Sequence, residues 1–270
     1  HVQVSYDLMT YPQYFSVLES KMLQAGFFLD TVPFTEISAL TLEQYKGQYL
    51  NVYQKGALIG MSLDIMLRDL SDGKMGLQDL LRKLEKEYGI SQPFKDEELF
   101  DKITGLTFPE VRDFFAQYVE GPNPLPYTDL FQRVGIQYES NVNRKILSMG
   151  RVGWKTDDDQ NTITADNVRR VNRFGEDMGF EEGDQLVEFA GMPVTAESFP
   201  AVIAKFRNTY KAGQKVKAVV RRPDGNGGFK LKKLKGKTVE VRQRAPHLLT
   251  LNPDATERQV MIRKAWLNDL

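Results

Sequence analysis

Apolar positions over residues 1–136 recur near the 3.6-residue helical period, whereas residues 137–245 show short β-branched runs parted by glycine and acidic turns. "YPQYFSVLESKMLQAGF" sets Tyr14, Phe15, Val17, Leu18, Met22 and Leu23 at helical spacing, with Gly26 as its stop signal. "TLEQYKGQYLNVYQKG" follows with Thr41 as N-cap candidate. "GALIGMSLDIMLRDLSDGK" then reads as a strongly apolar helix ending at the Ser71–Gly73 turn. "GLQDLLRKLEKEYG" places Leu77, Leu80, Leu81 and Leu84 on one side and stops at Gly89. "DEELFDKITG" and "TFPEVRDFFAQYVEG" predict two more helices, the second with Thr107 and Pro109 as start signals. "PNPLPYTDLFQRVG" is a rigid, proline-rich return followed by a short helix. The expectation is a helical array of about six or seven members with no fixed repeat.

Beyond it, "QYESNVN", "RVGWKTD", "NTITADNV", "DQLVEFAG", "QKVKAVVRRP", "FKLKKLKG" and "KTVEVRQR" predict strands. One helix interrupts them at about 196–211, "RRPDGNGGF" is a hairpin tip, and the acidic "TDDDQN" is another loop tip. Residues 246–270 return to helix, apolar at Val260, Ile262, Ala265 and Trp266. The expected organisation is multidomain α + β: an all-α lobe over 1–136, a small β domain over 137–245 and a C-terminal helical tail over 246–270.

Composition narrows the chemistry. Lys and Arg number 36 and Asp and Glu 36 in the 270 residues, which gives no reason to expect nucleic acid as the main partner. Cysteine is absent, so thiolate chemistry and cysteine-ligated zinc are excluded. The same absence leaves the compartment open between periplasmic or secreted and cytoplasmic. No run is long and apolar enough to predict a membrane span, and the opening "HVQVSYDLMT" has neither a start methionine nor a signal peptide, as in a processed product or a fragment. The two histidines, His1 and His247, lie at opposite ends of the chain. A catalytic zinc wants three protein ligands, commonly with closely spaced histidines, so no complete zinc-peptidase site is expected here. A serine activated by histidine has little support for the same reason.

Within the β half, "FGEDMGFEEGDQLVEFAGMPV" carries Gly179-Phe180, Gly183-Asp184 and Ala190-Gly191. The segment resembles the PDZ domain, whose pattern is Gly-Leu, then Gly-Asp, then an apolar strand ending in Asn-Gly. The helix and closing strands follow in that family's order, over roughly residues 140–245. The resemblance implies a groove between an exposed strand and a helix that takes a peptide terminus as an added strand. Its carboxylate loop would fall on "RVGW", where Gly153 and Trp154 match the family's Gly-Leu-Gly-Phe. Arg151 would attract the carboxylate, and Phe199, Val202 and Phe206 would line the groove or pack the core.

In the helical half, Tyr53-Gln54-Lys55-Gly56 resembles the Tyr-x-Lys-Gly signature of zinc aminopeptidases that carry H-E-x-x-H. The continuation through "LRKLEKEYG", "FKDEELF" and "FFAQYVEGPNPLPYTDLFQRVGI" is similar to the M61 family, the glycyl aminopeptidases, which carry a PDZ domain directly afterwards. The resemblance implies the helical lobe of a thermolysin-like peptidase that removes N-terminal glycyl or alanyl residues from peptides. It puts the catalytic tyrosine on Tyr53, a neutral donor to the oxyanion of the attacked carbonyl. Lys55, Gly56, Asp64, Gly183 and Asp184 are expected to be structural. The alternative for Tyr53 is a buried aromatic near the helix start. The family's H-E-x-x-H, glutamate ligand and general base have no counterpart in these residues. No cofactor is therefore expected in this chain; zinc is expected in a longer parent, with an upstream catalytic portion as partner. The rival class is a non-catalytic, peptide-binding PDZ scaffold.

Overall fold

The computed structural model describes residue 4, residues 8–89 and residues 92–268. The chain forms two compact units, His1–Val142 with Ala245–Leu270, and Asn143–Arg244. No described helix is long and apolar enough to cross a membrane.

The first unit holds seven α-helices before its strands: α1 Tyr11–Ala25, α2 Phe34–Ala39, α3 Tyr49–Leu70, α4 Leu77–Glu87, α5 Asp96–Leu106, α6 Glu110–Tyr118 and α7 Tyr127–Arg133, among the described residues. Helix α1 starts where Gln13 Oε1 accepts the Thr10 backbone N–H at 2.8 Å, and Gly26 caps its end. Its buried residues are Phe15, Leu18 and Met22, whereas Val17 and Leu23 are exposed. Helix α3 is buried on several sides through Leu58, Ile59, Leu63, Ile65 and Leu67, as its nearly unbroken apolar sequence requires.

Four expectations change here. Thr41 caps nothing: residues 40–45 turn back on themselves, with the Glu43 and Tyr45 N–H groups both donating to the Leu40 carbonyl. A 3₁₀ turn at Lys46–Gln48 then feeds α3, so one helix covers both expected stretches from Tyr49 onward. Leu81 is 56% exposed because α4 buries only the Leu80 line of its leucines. Thr107 closes α5, leaving Pro109 as the N-cap of α6.

The chain leaves the first unit along β1 (Ile136–Leu147) and returns along β8 (Glu240–Leu251), which pair as a separate two-stranded sheet. Strand β8 runs on to Leu251, so helix resumes only at α10 (Glu257–Asn268), later than expected. Ile262, Trp266 and Leu267 of α10 join the first unit's core, and the Trp266 ring meets Tyr14 edge-on at 5.8 Å.

The second unit contains β2 (Gly153–Asp157), β3 (Thr162–Asn167), α8 (Arg173–Met178), β4 (Gln185–Phe189), β5 (Met192–Pro193), α9 (Phe199–Thr209), β6 (Lys215–Pro223) and β7 (Phe229–Lys237). They build a six-stranded sheet in the order β2-β3-β4-β6-β7, with β5 added to β4. Its core faces Val202, Ile203 and Phe206 of α9 and Phe174 and Met178 of α8. Strands β6 and β7 form the expected hairpin, in register from Lys215 opposite Lys237 to Pro223 opposite Phe229. Helix α9 starts later than the sequence predicts because Thr195 and Ser198 form a turn, the Thr195 N–H donating to Ser198 Oγ at 2.9 Å. Helix α8, which periodicity does not reveal, is set by Asn172, whose side chain accepts from the Phe174 and Gly175 N–H groups.

Candidate functional site

Tyr53 lies one turn inside α3, and the face beside it is held by three side chains spaced along the helix start. Gln48 Oε1 accepts the Leu29 N–H at 2.9 Å, Asn51 Nδ2 donates to the Leu29 carbonyl at 3.3 Å, and buried Lys55 pairs with Asp30. The loop after α1 is thereby tied to α3. Gly56 permits a close approach nearby, since a Cβ there would lie 3.3 Å from the Phe34 ring of α2.

Tyr53 itself is not a core aromatic. It is 58% exposed, alongside exposed Tyr49 and Leu50. Tyr49, four residues earlier, meets it with hydroxyls 3.0 Å apart and rings edge-on at 5.5 Å. The shared hydrogen bond with Tyr49, followed by the charge Tyr49 would carry, raises the Tyr53 hydroxyl above the ordinary tyrosine range. The hydroxyl faces solvent and, like any tyrosine, is protonated at neutral pH. Tyr49 was not read from the sequence as a functional residue. Its signal was there, in two tyrosines one helical turn apart.

Asp64 is buried and holds the start of the next helix. Its Oδ1 accepts the Leu77 N–H at 2.8 Å and the Arg68 Nε–H at 3.3 Å. Burial is the largest influence on its carboxyl and raises it, against the lowering pull of those donors. Gly76 sits so close to the pair that a Cβ would fall 2.6 Å from both Asp64 Oδ1 and Arg68 Nη2.

Among the described residues no group of three or more His, Cys, Asp or Glu side chains is placed to hold a metal ion. His1 lies outside the described residues. His247 is half-buried in the first unit, its Nδ1 2.8 Å from the Tyr138 hydroxyl and its ring stacked on Tyr138. Burial lowers its imidazole below the usual histidine range.

In the second unit β2 is an edge strand. Arg151 precedes it, exposed and with φ +56°. Gly153 is crowded by β3, where a Cβ would meet Asp166 Oδ1 at 2.7 Å. The Trp154 ring packs edge-on against Phe180 at 5.2 Å and lies 5.9 Å from Phe199 at the start of α9. The Trp154 indole N–H is buried with no hydrogen-bond partner among the described residues. Val202 and Phe206 depart from the groove-lining expectation. They are 6% and 0% exposed, and Phe206 packs edge-on against Phe189 at 4.9 Å, so both are core.

Gly183 and Asp184 form a structural turn. Gly183 has φ +89°, and fully buried Asp184 accepts from Arg222 Nε at 2.8 Å, Arg222 Nη2 at 2.9 Å and the Glu181 N–H at 2.9 Å. Arg222 also donates to the Gly179 carbonyl at 2.8 Å and pairs with Glu181.

No known family profile matches this sequence, and no curated protein sequence is significantly similar to it. Among solved structures, an aminopeptidase N family protein from Idiomarina loihiensis is similar in fold, with a TM-score of 0.51 and 20% identity over 98% of this chain. The chain spans 46% of that structure's length. A photosystem II D1 C-terminal processing protease superposes at a TM-score of 0.29 with 11% identity, over 67% of this chain and 44% of its own. That second superposition carries no argument. The first likeness is one of fold alone, over a chain that here consists of an α-helical lobe, a small antiparallel sheet and a closing helix.

Proposed function

We propose that this chain is the helical lobe and PDZ domain of an M61-like zinc aminopeptidase, with Tyr53 as the donor to the oxyanion formed on the attacked peptide carbonyl. The observation that carries the reading is the exposed Tyr53 hydroxyl, hydrogen-bonded to Tyr49 on a helix start otherwise pinned by Gln48, Asn51 and Lys55. The fold likeness to an aminopeptidase N family protein over 98% of the chain supports it. In this reading the zinc ligands and the general base come from an upstream portion of a longer parent protein, not from the described residues. In this reading Lys55 and Gly56 brace the helix start that carries the tyrosine, and Asp64 holds the start of α4.

The chain alone is therefore expected to be inactive. Incubation with glycyl and alanyl anilides plus zinc should give no turnover beyond that of Tyr53→Phe. Zinc-dependent turnover well above this control would overturn the reading.

A second reading, a peptide-binding PDZ scaffold, draws on the Trp154 indole N–H, buried without a partner among the described residues, on edge strand β2 and beside Phe199. Saturable binding from a peptide library that Phe199→Ala abolishes would support it. Binding untouched by that change would place the peptide elsewhere.

A further inference from the structure

The outer face of the β6–β7 hairpin concentrates charge that the fold does not use. Along β6, buried Val216, Ala218 and Val220 alternate with exposed Lys215, Lys217 and Arg221 and half-buried Val219. The partners of the outward positions on β7 are Lys237, Lys235, Lys233 and Leu231, with Phe229 opposite Pro223. Two cross-strand pairs are thus lysine against lysine, 215 with 237 and 217 with 235, an arrangement that costs stability. Among the described residues none of these five lysines forms an ion pair.

A lysine-rich β7 has an ordinary explanation, because it is an edge strand and edge lysines deter unwanted strand pairing. That explanation does not reach Lys215 and Lys217, which lie on interior strand β6. The charge on this face therefore extends past the edge strand, which also carries exposed Lys230 and Lys232 on its other side. Neighbouring outward positions lie roughly 7 Å apart along a strand and about 5 Å across, so the cations form a lattice two strands wide. Apolar side chains continue it toward the hairpin tip: Leu231 is 68% exposed and Phe229 53%. The acids nearby offset little of it: Asp224 is engaged in the turn, its Oδ1 accepting from the Asn226 and Gly228 N–H groups, and half-buried Glu188 on β4, opposite Val219, is a single carboxylate against five lysines and Arg221.

We propose that this face docks on an anionic lipid bilayer, the lysines and Arg221 over the headgroups and Phe229 and Leu231 entering the acyl boundary. An added acidic strand would pair at the β7 edge and leave Lys215 and Lys217 a strand away. A nucleic acid would satisfy the cations and leave the two exposed apolar side chains in water. A bilayer engages all of them. The proposal stands apart from the peptidase reading.

The test mixes the 270-residue chain with phosphatidylcholine vesicles, with and without phosphatidylserine, and measures co-sedimentation. Binding is expected only on the anionic vesicles and should weaken as salt is raised. Lys217→Ala with Lys235→Ala should lower partitioning about 5-fold per lysine. Phe229→Ala with Leu231→Ala should weaken it without changing its salt dependence. Lys217→Arg should retain it, and no variant should melt below the parent chain. Absence of binding to anionic vesicles, or binding unaltered by loss of both lysines, would overturn the proposal. So would double-stranded DNA or a poly-glutamate peptide bound more tightly than the vesicles at equal salt.

Discussion

Arg222 concentrates much of the second unit's polar order in one guanidinium, which bridges Asp184, Glu181 and the Gly179 carbonyl. Arg222→Ala would strand a carboxylate with no exposure, and should destabilise the second unit by about 3–5 kcal/mol in urea unfolding. Arg222→Lys should recover only part of this, since an ammonium cannot reproduce the two-nitrogen grip on Asp184. His247 supplies a prediction with a sign. Its folded-state imidazole titrates below its unfolded value, so protonation favours unfolding. The stability it contributes is present above about pH 6.5 and is lost as pH falls from there through the folded value. His247→Phe should flatten that part of the first unit's denaturation-midpoint profile against pH. Neither role was legible in the sequence. Arg222 lies 38 residues from Asp184, and the His247 partner Tyr138 is 109 residues away, beyond the reach of any local pattern. By contrast, the need of Asp64 for partners was readable from a carboxylate set among apolar neighbours, and the structure supplies Leu77 and Arg68.

At the scale of elements, the helices that the sequence revealed are those long enough to show a period. Helices α1 and α4 to α7 fall where apolar spacing and stop signals put them. Helices α2 and α8, each of six residues, are too short to display periodicity, and α8 rests on the single cap of Asn172. Strand β8 was cut short in the reading because "APHLLT" lacks the alternation of a half-exposed strand. Helix α10 carries the sharpest element-level prediction. Trp266 is 1% exposed among the residues that close the first core, so Trp266→Ala should cost about 3–5 kcal/mol of that unit's stability. The transition assigned to the second unit should stay where it was. A single transition moving as one would contradict two separate cores.

For the molecule as a whole, residues 143–244 are an uninterrupted segment inserted into a unit made of two separate stretches. Both crossings run on the paired strands β1 and β8, so the two cut ends of an excised insert belong to neighbouring strands. Residues 143–244 expressed alone should give a cooperative transition by circular dichroism, since their core draws only on their own residues. A non-cooperative, dye-binding product would show that the segment depends on its host. The candidate site was legible to a different degree in each half. The motif around Tyr53 falls near the start of α3, and its exposure is a property that no local pattern carries. Of the residues expected to line a groove, Phe199, Val202 and Phe206 of α9 all pack on the second core, Phe199 only in part, whereas Arg151 is exposed.

The position of α10 also sets an order in time. A ribosome delivering this chain must finish the whole of residues 143–244 before it delivers Ile262, Trp266 and Leu267, which the first core needs. At roughly 5–20 residues per second, the second unit has seconds in which to complete itself while its host waits, an unclosed bundle with apolar faces showing. The last stretch of the first unit to be made is thus the one that seals it, and chaperone dependence should centre on that interval.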